Sequence, residues 1–324
     1  KQRDYIKNSM SYTNPLVTPL FNTIFSPELD KLVIEEGIEI SDHKRIAMYD
    51  HKKYGKDWED VIDPGTPQHR NMLKDSKYAI YTYDDMDPAS AQTILLFMKF
   101  VRDSEAMLKC CFKPNLPNNA ETNYGVIRID NVLLRDARGK LPKESSSKFD
   151  RWHHLTYTLE DINNVRKMSE VYFKKIVAGI EKHDYFPVFN AINFSRVAFS
   201  SRISDLRLAI PLYGIAMESL FSHNFNEITH KFSENIAWFF EPECGNKREN
   251  LYYDAKLFYR IRSELIHGDI PKKLRDNMEK INHFSIDILQ KSISKILLNE
   301  FLHEIFKNNK SKRKYFTKLI LRNI

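Results

Sequence analysis

Apolar residues recur at two different periods along this chain, and the period changes near residue 158. Before that point the runs are short, alternating and rich in β-branched and aromatic residues. Leu32–Ile34 and Gly37–Ile40 read as two short strands paired around a turn, and Tyr78–Tyr83 as a third strand. Met107–Phe112 and Tyr124–Asp130 suggest two more. Between them Asp87-Pro88 supplies an N-cap and a first-turn proline, and Ile94, Leu95, Phe97, Met98 and Val101 mark one amphipathic helix. Arg138–Lys148, with Pro142 and three serines, is a polar loop. Leu155–Leu159 closes this half as a strand or entry segment.

From about residue 160 the spacing becomes helical and stays so. Ile162, Val165, Met168, Tyr172, Ile176 and Ile180 follow one another at threes and fours. Val188–Ser200 predicts a second helix behind Pro187, and Ser204–Phe221 a third, kinked at Pro211 because that residue has no N–H for its turn. Asn226 is placed to cap a fourth, with Ile228, Phe232, Ile236 and Phe239 on one face. A polar loop with Pro242 and Gly245 leads to a fifth. Leu274–Phe306 then reads as one long or broken helix with Ile281, Phe284, Ile288, Ile296, Leu297 and Phe301 on its apolar side. The expected fold is α+β: a β-rich N-terminal domain, residues 1–158, followed by an all-α antiparallel bundle, residues 159–324.

The fifth helix carries the chemistry. Leu251, Ala255, Phe258, Arg262 and Leu265 share one face, apolar except at Arg262. An unpaired arginine there would be costly, so it needs a partner. His267 follows five residues on, ahead of Gly268 and Pro271, which mark a helix end. Arg262 then lies about 7.5 Å behind the histidine along the axis. An imidazole at a helix C-terminus, with a cation and Asp269 nearby, suits proton transfer near neutral pH. A guanidinium has the fork geometry for phosphate oxygens. Together they fit attack of an RNA 2′-hydroxyl on its own phosphodiester, with no metal needed. The plainer reading stays open: a histidine there can simply satisfy end carbonyls.

The residues around this pair carry a resemblance. Arg262-Ser263-Glu264-Leu265-Ile266-His267-Gly268 resembles the R-x4-H-G signature of the HEPN superfamily, in particular its ApeA-like branch. Upstream, Asp205–Phe221 resembles that branch's acid-led apolar helix, ending in the tetrad Glu218-Ser219-Leu220-Phe221. Fainter likenesses lie in Pro15–Ile40 and Ala89–Val101. The resemblance implies a HEPN-type bundle with Arg262 and His267 catalytic and with Glu218 and Ser263 in support; Asp269 is a supporting candidate through its charge beside His267. Ser263 is a common residue after the arginine in that branch. It further implies a homodimer with a composite site, and metal-independent endoribonuclease activity leaving a 2′,3′-cyclic phosphate and a 5′-hydroxyl, with no cofactor. Many prokaryotic relatives act in abortive anti-phage defence, which leaves the N-terminal domain to sense a phage-derived or small-molecule trigger or a partner. The alternative is a non-catalytic HEPN module that binds nucleotide, nucleic acid or a protein partner.

Bulk composition narrows the field further. With 324 residues, 42% hydrophobic and 29% charged, the chain is long enough for two cores. Nine glycines include neither a G-x-G-x-x-G nor a G-x4-G-K-[ST] run, which argues against nucleotide-loop chemistry. Cys110, Cys111 and Cys244 have no zinc or disulfide spacing. His43, His51, His69, the adjacent His153-His154, and the pair His223 and His230 offer no ligand set either. No apolar run approaches a membrane span, and Lys1-Gln-Arg-Asp-Tyr-Ile lacks a signal-peptide core; the expected setting is cytoplasmic.

Charge adds one feature. Seven basic residues and no acid fall in 307–324, which accounts for the whole net charge of +7. That tail reads either as a solvated end or, with Tyr315 and Phe316, as a grip on a phosphate backbone. Lys272 and Lys273 are candidate RNA contacts or ordinary surface. Glu218 is either an exposed carboxylate or the partner of Arg262.

Overall fold

A computed structural model describes residues 16–20, 23–50, 52, 76–83, 88–101, 155–201, 206–222, 228–240, 248–268 and 274–321. Expectations for Asp87, Met107–Phe112, Tyr124–Asp130, Arg138–Lys148 and Asn226 lie outside them, as do those for the three cysteines, His51, His69, His153, His154 and His223. The chain divides into two compact units. One takes residues up to Met98 and again from Asn119 to Ser169; the other takes Lys99 to Asn118 and everything from Glu170.

The first unit is built on a four-stranded antiparallel sheet. Its strands are β1 (Leu16–Leu20), β3 (Ile38–Ser41), β4 (Lys44–Met48) and β5 (Tyr78–Thr82), in the order β1-β5-β4-β3. β5 is buried along its whole length, as its run of aromatic and β-branched residues predicts for an inner strand. Ile46 lies opposite Ile80 on one side and Ile38 on the other, which fixes the register of the inner strands. A parallel pair, β2 (Thr23–Phe25) and β6 (Leu155–Tyr157), stands apart from that sheet.

Among the described residues up to 101, two helices form rather than the one expected. Leu32–Ile34 is not a strand: it lies in helix α1 (Pro27–Glu35). Ser26-Pro27 starts that helix, Leu29 and Val33 bury at i and i+4, and Leu32 and Ile34 face outward. Three β-formers in a row look like a strand, but burial at a spacing of four decided the outcome. Asp30 of α1 accepts from Lys77 at 2.7 and 2.8 Å and from the Tyr78 hydroxyl, tying α1 to β5. Helix α2 (Pro88–Phe100) forms where its apolar stripe predicts.

Beyond β6 the described residues are mostly helical. The stretch from Ile162 to Ile180 is helical throughout but not uniform: α3 (Leu159–Glu170) gives way to a π-turn at Val171–Val177. The apolar spacing widens there from threes to fours, which suits the wider turn. In the second unit α4 (Phe186–Ser201) packs beside α5 (Leu206–Phe221), which continues through Pro211. α6 (Ile228–Phe239) lies against α7 (Arg248–Ile266), and α8 (Leu274–Leu297) touches both α5 and α7.

The last predicted helix is broken, not continuous. Asn299 ends the break and caps α9 (Glu300–Phe306), its Oδ1 accepting from the Leu302 N–H at 3.3 Å. Phe301, expected on the apolar face, is 69% exposed because the cap restarts the helical phase. The basic segment is neither a loose end nor wholly a solvated one. It forms α10 (Asn309–Leu321) and buries Lys312 and Phe316. Phe221, Phe239, Phe306 and Phe316 make one aromatic cluster, with ring centroids 5.5 to 6.4 Å apart. The described residues thus form an α+β chain, mostly helical, with a small antiparallel sheet near the N-terminus.

Candidate functional site

Helix α7 buries Ala255, Phe258, Tyr259 and Ile261, close to the face its sequence predicts. Arg262, the charge on that stripe, has its partner: Nη2 donates to Oε2 of Glu218 on α5 at 2.7 Å. The pair is largely enclosed, with side-chain exposures of 15% for the arginine and 24% for the glutamate. Of the two readings of Glu218, the paired one is what the geometry has.

Two further residues shape the pair. Tyr259 packs its ring 5.5 Å from the guanidinium and hydrogen-bonds its hydroxyl to Glu218. Burial first, and then the Glu218 charge, pushes its pKa up to about 12, so it acts as a donor and not as an acid. Gly214 gives the arginine stem its room: a Cβ there would stand 2.7 Å from Cγ of Arg262 and 2.9 Å from Nε. A mid-helix glycine costs about 1 kcal/mol relative to alanine, and close approach of Arg262 is the reason to keep it. Gly214→Ala is therefore expected to destabilise the protein by about 1–3 kcal/mol through overpacking. Thermal unfolding checks this; a rise in stability, as for an ordinary helical glycine, would contradict it.

α7 ends at Ile266, and His267 occupies the turn just past it. Its N–H still donates to Ser263 at 3.1 Å, so the helical path runs one residue further, and Gly268 follows with φ +83° as the helix-stopping residue. His267 is exposed. Five residues rotate a helix by roughly 140° from its starting direction, so Arg262 and His267 do not share a face. One points into the bundle toward α5; the other lies on the outward side.

That outward side carries a second feature. An open groove of about 450 Å³ runs between α6 and α7, lined by Thr229, Lys256, Leu257, Tyr259, Arg260, Ser263 and Glu264. Arg260 Nε donates to Oε1 of Glu264 at 2.9 Å, one helical turn on. Lys256, Arg260, Ser263 and His267 succeed one another at four, three and four residues, the spacing of a single helix face. Ser263, expected in support of Arg262, lines this groove.

Asp269, Lys272 and Lys273 lie outside the described residues. Nearby His230 is exposed, with a ring nitrogen 3.1 Å from the Tyr252 hydroxyl. Among the described residues no group of three His, Cys, Asp or Glu is gathered as a metal would need, and no helix is long and apolar enough to cross a membrane. The roles of Gly214 and Tyr259 were not read from sequence. The signal for Gly214 was its placement inside an apolar helix of a chain with only nine glycines. Compared with protein-family models, curated proteins and solved structures, the chain matches none.

Proposed function

We propose that the helical unit is a HEPN-type endoribonuclease that cleaves RNA by attack of a 2′-hydroxyl on its own phosphodiester. The observation that carries this reading is the 2.7 Å bridge from Arg262 Nη2 to Glu218, which joins the two helices that bear the resemblance. His267 stands at the open end of the same helix, accessible to a substrate. In the reaction one imidazole takes the proton from the 2′-oxygen as it bonds to phosphorus. The bond to the 5′-oxygen breaks, and that oxygen gains a proton from a second imidazole. Arg262 offsets the negative charge that builds on the phosphoryl oxygens.

One chain supplies one His267, whereas the proposed reaction uses two imidazoles. The proposed active form is therefore a two-fold homodimer that sets two such motifs across a shared cleft. The role assigned to the N-terminal unit is recognition of a trigger, and the setting is cytoplasmic, in abortive anti-phage defence. A second reading is favoured by the enclosure of Arg262, already paired with a carboxylate: a non-catalytic HEPN module that binds nucleic acid, nucleotide or a partner. Incubating the purified full chain with RNA and with DNA of the same sequence separates the two. The expected products are RNA fragments with 2′,3′-cyclic phosphate and 5′-hydroxyl ends, formed equally in EDTA, with the DNA intact. Binding with no product gives the second reading; 5′-phosphate ends or cut DNA would exclude the proposed chemistry.

A further inference from the structure

We infer that the groove between α6 and α7 is a track for the sugar-phosphate backbone of a single RNA strand on its way to His267, with Arg260 held in reserve by Glu264. This rests on the RNA-cleaving function proposed above. The stripe Lys256, Arg260, Ser263, His267 rises about 16 Å along the helix, at 1.5 Å per residue. That is the reach of two to three nucleotides of extended strand, so phosphates can meet successive turns of the helix.

The donors are of the right kind. Lys256 is an exposed point charge, Ser263 offers a hydroxyl, and Tyr259 is among the lining residues. The groove is open to solvent and not an enclosed cavity, which suits a strand better than a buried small molecule. Arg260 is 63% exposed, yet its guanidinium is held by Glu264 at 2.9 Å. An exposed pair of this kind is weak, so an arriving phosphate can displace the carboxylate. Glu264 then acts as a built-in competitor: it lowers affinity for RNA and shortens the strand's stay.

Fluorescence anisotropy with a labelled 2′-O-methyl RNA twelve-mer, which cannot be cut, tests this on the full chain. Lys256→Gln is expected to weaken binding about three- to tenfold and to reduce the salt slope by about 0.7, one phosphate contact on a single strand. Glu264→Gln is expected to tighten binding about threefold by releasing Arg260. The inference is overturned if the wild type does not bind, if Lys256→Gln and Glu264→Gln leave affinity and salt slope unaltered, or if a mononucleotide displaces the strand at equal concentration. The two proposals fail separately. Cleavage retained with both groove variants silent removes the track and leaves the nuclease, whereas the expected affinity changes in a protein that cuts nothing keep the track and remove the nuclease.

Discussion

Replacing His267 by alanine is expected to lower RNA cleavage by about 10²–10⁴-fold while shifting stability by no more than about 0.5 kcal/mol. The separation comes from position. His267 is exposed, and among the described contacts only its backbone N–H takes part, so the side chain can be removed with little effect on packing. Arg262→Ala is the instructive contrast. It should also abolish cleavage, but it leaves a mostly enclosed Glu218 with the Tyr259 hydroxyl and opens a gap against Gly214. Breaking a fully buried pair costs about 3–5 kcal/mol, and partial exposure here brings the expectation down to about 2 kcal/mol. Loss of activity in that variant therefore cannot by itself assign a chemical role. Arg262→Lys keeps the charge but loses the fork, and Glu218→Gln keeps the shape but loses the charge. If cleavage survives in His267→Ala at the wild-type rate, the imidazole moves no proton and the proposed mechanism is wrong.

What the chain disclosed beforehand follows its physics. Helices with long apolar stripes, such as α4, α6 and α7, were legible because burial repeats over several turns and outweighs local exceptions. The partner of Arg262 was half legible: an enclosed cation demands a carboxylate, and Glu218 sits in the apolar run that could supply one, but no spacing rule joins residues 44 positions apart. Leu32–Ile34 misled because β-branched content is a weak signal beside the i, i+4 burial of Leu29 and Val33. The groove was hidden because it needs two helices at once; the stripe at 256, 260, 263 and 267 is visible in sequence, but the approach of Thr229 on α6 to it is not. The segment 307–324 was read from its charge, with Tyr315 and Phe316 as contacts for a phosphate backbone, whereas its helix 309–321 buries Lys312 and Phe316.

Stability is expected to rise with pH between about 7 and 10 because of Lys312. Its side chain is 1% exposed, and burial lowers its pKa from 10.5 to about 7. The folded state thus holds a neutral amine through a range in which the unfolded chain binds a proton. Unfolding takes up that proton, so stability increases with pH across the window, and below pH 7 the full penalty of a buried ammonium is present. The interval from 10.5 to about 7, at about 1.36 kcal/mol per pH unit, sets an upper bound of about 5 kcal/mol on the gain. Tyr259 acts in the opposite sense above pH 10: its raised pKa makes the unfolded tyrosine ionise first, so stability falls again toward pH 12. Lys312 is retained for what its Nζ does, donating to the Ser219 carbonyl at 2.6 Å while Asn235 Nδ2 donates to that of Phe221 at 2.7 Å. Both carbonyls belong to the C-terminal turn of α5, where donors are scarce and the helix dipole favours a cation. That turn begins at Glu218, so the lysine steadies the carboxylate that aims Arg262. Lys312→Met should flatten the rise between pH 7 and 10 in urea unfolding and raise stability at pH 7, since the thioether suits a site beside Phe316. It should also loosen the Glu218–Arg262 bridge, and so reduce cleavage without touching substrate. An unchanged pH slope in Lys312→Met would show that the buried amine is not the group responsible.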